Sequence, residues 1–221
     1  MSNYTTTRDR VETYFDRTAT TVWERLTSDA PVSRIRQTVR EGRDKMRALM
    51  LSRLPDDLNG VRVLDAGCGA GQMTAELAAR GAHVTAVDIS PQLVEIARKR
   101  LPPEHAHRVT FASGDMTANH GPQDFVVAMD SLIYYDTSDI TNALHLLAQR
   151  TSEAVVFTVA PRTPFLMTFW TMGKVFPKAD RSPVMVPHAH TTLNSVAEGR
   201  VTKVARISRG FYISECLEYR P

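Results

Sequence analysis

The stretch Val63-Leu64-Asp65-Ala66-Gly67-Cys68-Gly69-Ala70-Gly71 joins a short apolar run to a GxGxG turn. The apolar run reads as a buried strand, and the glycines let the chain turn sharply and let a ligand approach the backbone. Turns of this kind leaving a strand usually cradle phosphate. Asp65 stands just before this one, and its carboxylate would repel a pyrophosphate, so the expected ligand carries positive charge.

Outward from this turn, strands and helices alternate. "GQMTAELAARG" reads as a helix closed by Gly81, "HVTAVDIS" as a strand, and "PQLVEIARKRL" as a helix with Pro91 in its first turn. "RVTFASGD", "DFVVAMDS" and "EAVVFTVAP" read as three further strands, with "TSDITNALHLLAQR" a helix before the last. This alternation predicts a parallel sheet covered by helices on both faces. At the C-terminus, "RVTKVARIS" and "FYISECLEYR", joined at Arg209-Gly210, read as an antiparallel hairpin. Ahead of the sheet, apolar residues recur with helical spacing, Val11, Phe15, Val22 and Leu26 in one set and Ile35, Val39, Met46, Met50 and Leu54 in another. Pro31 suits the first turn of the second helix and Ser28 or Asp29 its cap.

The 221 residues, 43% of them hydrophobic, are enough to bury one sizeable core. No apolar run approaches the roughly 18 residues of a membrane span, and "MSNYTTTRDR" lacks the apolar region of a signal peptide. The two cysteines, Cys68 and Cys216, form no CxxC pair, and a cytoplasmic chain is expected. From Arg8 to Leu54 there are eleven Lys/Arg against seven Asp/Glu, and from Asn59 to Pro161 seven against eleven. A basic leading segment beside an acidic middle suits a cation pocket next to a surface that attracts an anionic substrate, a membrane or a partner.

Asp88 ends the second strand about twenty residues after the turn, where an acid takes the hydroxyls of an adenosine ribose. That position suits NAD and S-adenosylmethionine equally. Asp65 favours the latter, which has an ammonium and a sulfonium but no phosphate. Asp115, in "SGDM", ends the third strand where it can accept from the adenine amino group.

These residues resemble the class I S-adenosylmethionine-dependent methyltransferases over roughly Gly60 to Pro221. "VLDAGCGAG" is similar to that family's first motif, "VDIS" to its acidic second-strand end and "SGDM" to its third. The resemblance implies an α/β, Rossmann-like sheet of seven strands in the order 3-2-1-4-5-7-6, the last antiparallel. The helical spacing ahead of the sheet adds a helical arm or cap over 1–58 to a methyltransferase domain over 59–221, and the aromatic-rich stretch that fits neither pattern reads as a lid insertion over 162–190. Cofactor contacts would come from Asp65, Gly67, Cys68, Gly69, Gly71, Asp88, Ile89, Ser90, Asp115, Met116 and Asp130.

A closer resemblance spans nearly the whole chain. "VETYFDRTATTVWERL", "DSLIYYDTSD", and the insertion from "PRTPFL" to "FPKADRSPVMVPH" are similar to the magnesium-protoporphyrin IX O-methyltransferases of chlorophyll and bacteriochlorophyll synthesis. This implies S-adenosylmethionine as methyl donor and a porphyrin propionate as acceptor, with Tyr134 orienting the propionate and Tyr14 closing over the cofactor. Phe165, Phe169, Trp170 and His188 would contact the macrocycle. Where relatives from oxygenic organisms often carry His, this chain has Tyr134. The partners brought into view are magnesium-protoporphyrin IX, the porphyrin-carrying subunit of magnesium chelatase, and a peripheral contact with the photosynthetic membrane. Methylation of another small carboxylate, hydroxyl or quinone stays open, as does S-adenosylmethionine binding without turnover in an RNA-binding or regulatory protein. No RRM or KH signature supports nucleic acid. Arg36, Arg40, Arg43 and Arg47 share one helix face and read either as a solvated face or as a contact for an anionic partner. His105/His107 and His188/His190 lack the third ligand that a metal site needs.

Overall fold

A computed structural model describes residues 3–16, 33–164, 166–167, 185–197 and 200–221. The elements in chain order are α1 (Asn3–Tyr14), α2 (Arg34–Leu51), β1 (Arg62–Ala66), α3 (Gln72–Ala79), β2 (His83–Asp88) and α4 (Pro91–Arg100). There follow a 3-10 turn (Pro103–Arg108), β3 (Val109–Ser113), β4 (Gln123–Ala128), α5 (Thr137–Ala148) and β5 (Thr151–Pro161). The chain closes with β6 (Pro187–His188), α6 (His190–Val196), β7 (Val201–Arg209) and β8 (Tyr212–Tyr219).

The sheet runs β3-β2-β1-β4-β5-β8-β7. Strands β1 to β5 pair in parallel, and β8 lies antiparallel to both β5 and β7. The sheet has eight strands where the sequence predicts seven. The addition is β6, whose two residues pair with the end of β5 through Ala160 and Pro187. Without it the order is the expected one.

Local chemistry sets the helix starts. The Ser90 side chain caps α4 by accepting from the Leu93 amide, with Pro91 following, and Asp136 caps α5 through the Asp139 amide. The cap of α2 differs from the expected one. Ser33 holds the Arg36 amide there, while Ser28, Asp29 and Pro31 lie outside the described residues, as do Val22 and Leu26.

Two apolar layers sandwich the sheet. One joins Leu64, Val126 and Phe157 to α5 through Ile140 and Leu144, and takes Val11 of α1. The other joins Val63, Val127 and Val156 to α2 through Met46 and Met50 and to α3 through Leu77. Glu215 and Glu218 on β8 are buried, and each is balanced by cations, Lys203 and Arg206 for the first and Arg53 and Arg220 for the second. Gly42 brings α2 against the hairpin, since a Cβ there would stand 2.6 Å from the Tyr212 ring. Among the described residues, no helix is long and apolar enough to cross a membrane.

Candidate active site

The carboxyl ends of β1, β2, β3 and β4 open into one cavity, roofed by α1 and flanked by α2. Its wall includes Gly67, Cys68 and Gly69 after β1, Asp88 and Ile89 after β2, Asp115 and Met116 after β3, and Asp130 and Ser131 after β4. Tyr4, Arg8, Val11 and Phe15 of the leading segment, Arg43 of α2, and Tyr134 and Tyr135 complete it. This is the crevice in which open α/β sheets bind ligands.

The glycine turn supplies bare backbone. Gly69 has φ +53, and a Cβ on it would meet no atom within 4 Å. Its amide donates to Asp88 Oδ2 at 2.8 Å, while Asp88 Oδ1 accepts from the Ser90 amide at 2.9 Å. Gly71, with φ +82, starts α3, and a Cβ there would come within 2.8 Å of Ala97 on α4. Gly71 therefore serves packing and does not line the described wall.

Burial raises the Asp88 carboxyl to about 6 despite its amide donors. Asp65 is more enclosed still, 1% exposed, and its partner is the Thr74 hydroxyl at 2.6 Å. Burial raises it to about 7, with Asp88 adding to the shift. Asp65 thus stands behind the turn and not on the wall where the sequence put it. Asp115 is drawn the other way. Burial alone would raise it, but bonds from Thr117, Tyr4 and Arg8 hold it below the ordinary carboxylate range. Tyr4 Oη donates to Asp115 Oδ1 at 2.8 Å, and Arg8 Nη1 lies 3.3 Å from Oδ2. The acid expected to face adenine therefore also fastens α1 over the cavity.

At the end of β4, Asp130 takes φ +56, a left-handed conformation that Asp tolerates better than bulkier residues. It pairs with Arg43, accepts from Tyr212 Oη at 3.1 Å, and its amide donates to Thr158 Oγ1 at 2.7 Å. Burial first, then Asp130, pushes the Tyr212 hydroxyl well up, so it stays protonated as a donor.

The other expected site residues are placed as follows. Tyr134 is on the wall, with its ring edge-on to Phe15 at 6.3 Å. Tyr14 is not on it. Its ring packs against Phe15 at 5.2 Å, and Phe15 faces the cavity in its place. Ser90 is fully buried under the wall, capping α4 and bonding Asp16. His188 also sits behind the wall, its Nε2 2.9 Å from the Tyr135 carbonyl and its Nδ1 3.3 Å from Thr137 Oγ1. Burial lowers its pKa and keeps the ring neutral. Phe165, Phe169 and Trp170 lie outside the described residues. Among those described, no group of three or more His, Cys, Asp or Glu converges to hold a metal ion.

Sequence patterns alone missed Arg43, Tyr4, Arg8, Val11, Phe15, Ser131 and Tyr135 as wall residues. The row of four arginines divides in the fold, with Arg43 turned to Asp130 and Arg47 to Glu76 and Asp44. Gly42 was the available signal for Arg43, because glycine inside a helix marks a close approach.

Fold and wall together define a class I S-adenosylmethionine-dependent methyltransferase. Bare backbone at the turn and acids facing the cavity from β2 and β4 fit that cofactor. Residues 63–153 match the family described as "Methyltransferase domain", and residues 128–221 match "Magnesium-protoporphyrin IX methyltransferase C-terminus". The chain is 62% identical over 222 residues to the magnesium-protoporphyrin O-methyltransferase of Rhodobacter capsulatus, covering 100% of this chain and 99% of that one. It is 28% identical to the Synechocystis enzyme of the same name, over 94% of each chain. The crystal structure of magnesium protoporphyrin IX methyltransferase from Synechocystis PCC 6803 with bound SAH superposes with TM-score 0.79 at 27% identity, over 96% of this chain and 98% of that chain. The chain belongs to the magnesium-protoporphyrin IX methyltransferase family.

Proposed function

We propose that this chain transfers a methyl group from S-adenosylmethionine to a propionate carboxylate of magnesium-protoporphyrin IX, giving the monomethyl ester. The observation that carries the reading is the cavity itself. It sets a buried ribose-side acid, a bare glycine turn and an Arg43–Asp130 pair in one line along the sheet edge.

The bound cofactor supplies a methyl group made electrophilic by its sulfonium. Asp88 holds the ribose, and its two amide donors fix the carboxylate before the ligand arrives. Arg43 and Asp130 present opposite charges to the cavity and so complement a zwitterionic amino acid, carboxylate to guanidinium and ammonium to carboxylate. Each such bond contributes about 1.5–3 kcal/mol. Asp65, one layer behind, adds negative potential that favours a cation over a neutral ligand.

A propionate with an ordinary pKa of about 4.3 is ionised in all but roughly one molecule in 500 at pH 7. It requires no general base. The described wall carries no histidine, and burial pushes the hydroxyls of Tyr4 and Tyr135 upward, which keeps them protonated. Tyr134 orients the acceptor oxygen by donating from its hydroxyl. Val11, Phe15 and Met116 exclude water, so the carboxylate meets the sulfonium in a dry site where neutralising opposite charges is favoured. The leading segment to residue 58 acts as the cap of this cavity.

Delivery by the porphyrin-carrying subunit of magnesium chelatase and contact with a membrane surface belong to the same proposal. Their support is the exposure of Ile35 and Phe211, at 55% and 60%, close to Arg34, Arg36 and Arg209. The test of the activity is incubation with labelled S-adenosylmethionine and a panel of acceptors. Label should appear in the monomethyl ester of magnesium-protoporphyrin, and transfer to a quinone or phenol instead would overturn the assignment.

A further inference from the structure

We propose that the opposite edge of the sheet carries a second binding site, for a soluble phosphate-bearing anion. In a parallel sheet both faces are ordinarily covered, and a crossover between parallel strands commonly takes a dozen or more residues. The crossover from β3 to β4 has only nine, 114–122, and contains no helix. It leaves a hollow at the amino-terminal ends of the first four strands, lined by Arg62, His83, Thr85, His107, Arg108 and His120, with Gln123 at its floor.

The register brings these groups together. Arg62 pairs with His83 and Thr85 with Thr110, and alternation puts His83 and Thr85 on the same face. The lining is cationic or neutral. Arg62 is paired with Asp124 at 3.1 Å, whereas Arg108 meets the Gly81 carbonyl at 2.7 Å and no described carboxylate. His83 and His107 are exposed and make no side-chain hydrogen bond among the described residues. These histidines do not converge as metal ligands.

Gln123 narrows the ligand. It is 6% exposed, its Nε2 donates to the His120 carbonyl at 3.0 Å, and its buried Oε1 has no partner. That bond fixes which end of the amide is oxygen, and Gln123 lines the hollow with this acceptor still unpartnered beside the donors. A carboxylate can satisfy only the donors. A hydrogenphosphate, or a phosphomonoester in its monoanionic form, carries anionic oxygens for Arg108, His83 and His107 and a P–OH for Gln123.

The test is a titration of the isotopically labelled full chain with inorganic phosphate, following the side-chain resonances of His83, His107 and Gln123. Saturable shifts are expected, with affinity weakened about tenfold in Arg108→Gln and measurably in His107→Gln, a position with no partner to lose on folding. At about pH 6, where roughly half of a phosphomonoester keeps its P–OH, adenosine monophosphate should reproduce the shifts, and acetate and vesicles containing phosphatidic acid should not. Shifts that never saturate, or an affinity unchanged from the parent protein in both variants, would mean an adventitious ion only. Equal binding of acetate, or binding to vesicles alone, would also overturn the assignment.

Discussion

Asp88 and Asp65 are acids kept from water, and their ionisation is where the site reports its own chemistry. Their unfolded values lie near 3.9 and their folded values at about 6 and about 7. A carboxyl with a raised folded pKa contributes stability that is fully present below the unfolded value and is lost as pH rises through the folded one. The free protein should therefore melt at a lower temperature at pH 8 than at pH 5 on their account, and Asp65→Asn should flatten that dependence. Scanning calorimetry of both proteins checks this, and parallel curves would remove Asp65 as its source. Over the same window the affinity for the cationic cofactor should rise. Asp88→Ala should weaken cofactor binding by about 1.5–3 kcal/mol in a folded protein, measured by titration calorimetry. Tyr134→Phe should slow single-turnover transfer by about tenfold, short of the roughly 10²–10⁴ that accompanies removal of a general acid or base.

Elements carry the next level of constraint. Helix α2 delivers Arg43 because Gly42 lets it lie against Tyr212, whose hydroxyl steadies Asp130. Gly42→Ala would press a methyl group into that ring, costing about 1–3 kcal/mol of stability. Cofactor affinity should fall in the same variant because the Arg43–Asp130–Tyr212 set moves as a unit. Chemical denaturation and a binding titration would show both losses, and a stability loss with affinity intact would separate the helix seat from the site. Helix α1 is held differently, by Tyr4 and Arg8 on Asp115, by Tyr4 stacked 4.9 Å from Tyr135, and by Val11 in the core. These contacts join residues more than a hundred positions apart. Helical periodicity shows only that such a helix exists.

At the scale of the whole molecule, what was legible in the sequence follows from what local pattern encodes. Strand runs, capping residues and the glycine turn are local signals, and they placed the parallel sheet, the hairpin and the cavity-wall positions Gly67, Gly69, Asp88, Asp115 and Met116. The two-residue β6 is too short to have a period. Its place just before the turn points Asp65 toward the ligand, but strand alternation and Thr74 turn it inward. The family resemblance points His188 toward the macrocycle, yet the pairing of β6 with β5 carries it behind Tyr135. The arginines at helical spacing looked alike until tertiary packing distinguished Arg43.

The claim on which these scales converge is that the acceptor arrives already ionised and that the protein aligns and dries it without removing a proton. The measurement that tests this most directly is the single-turnover rate of methyl transfer to magnesium-protoporphyrin between about pH 6 and 9, at saturating concentrations of both ligands. A rate that stays flat across the range is predicted, because the propionate is ionised throughout. A rate climbing about tenfold per pH unit to an inflection within the range would reveal an obligatory base and contradict the account.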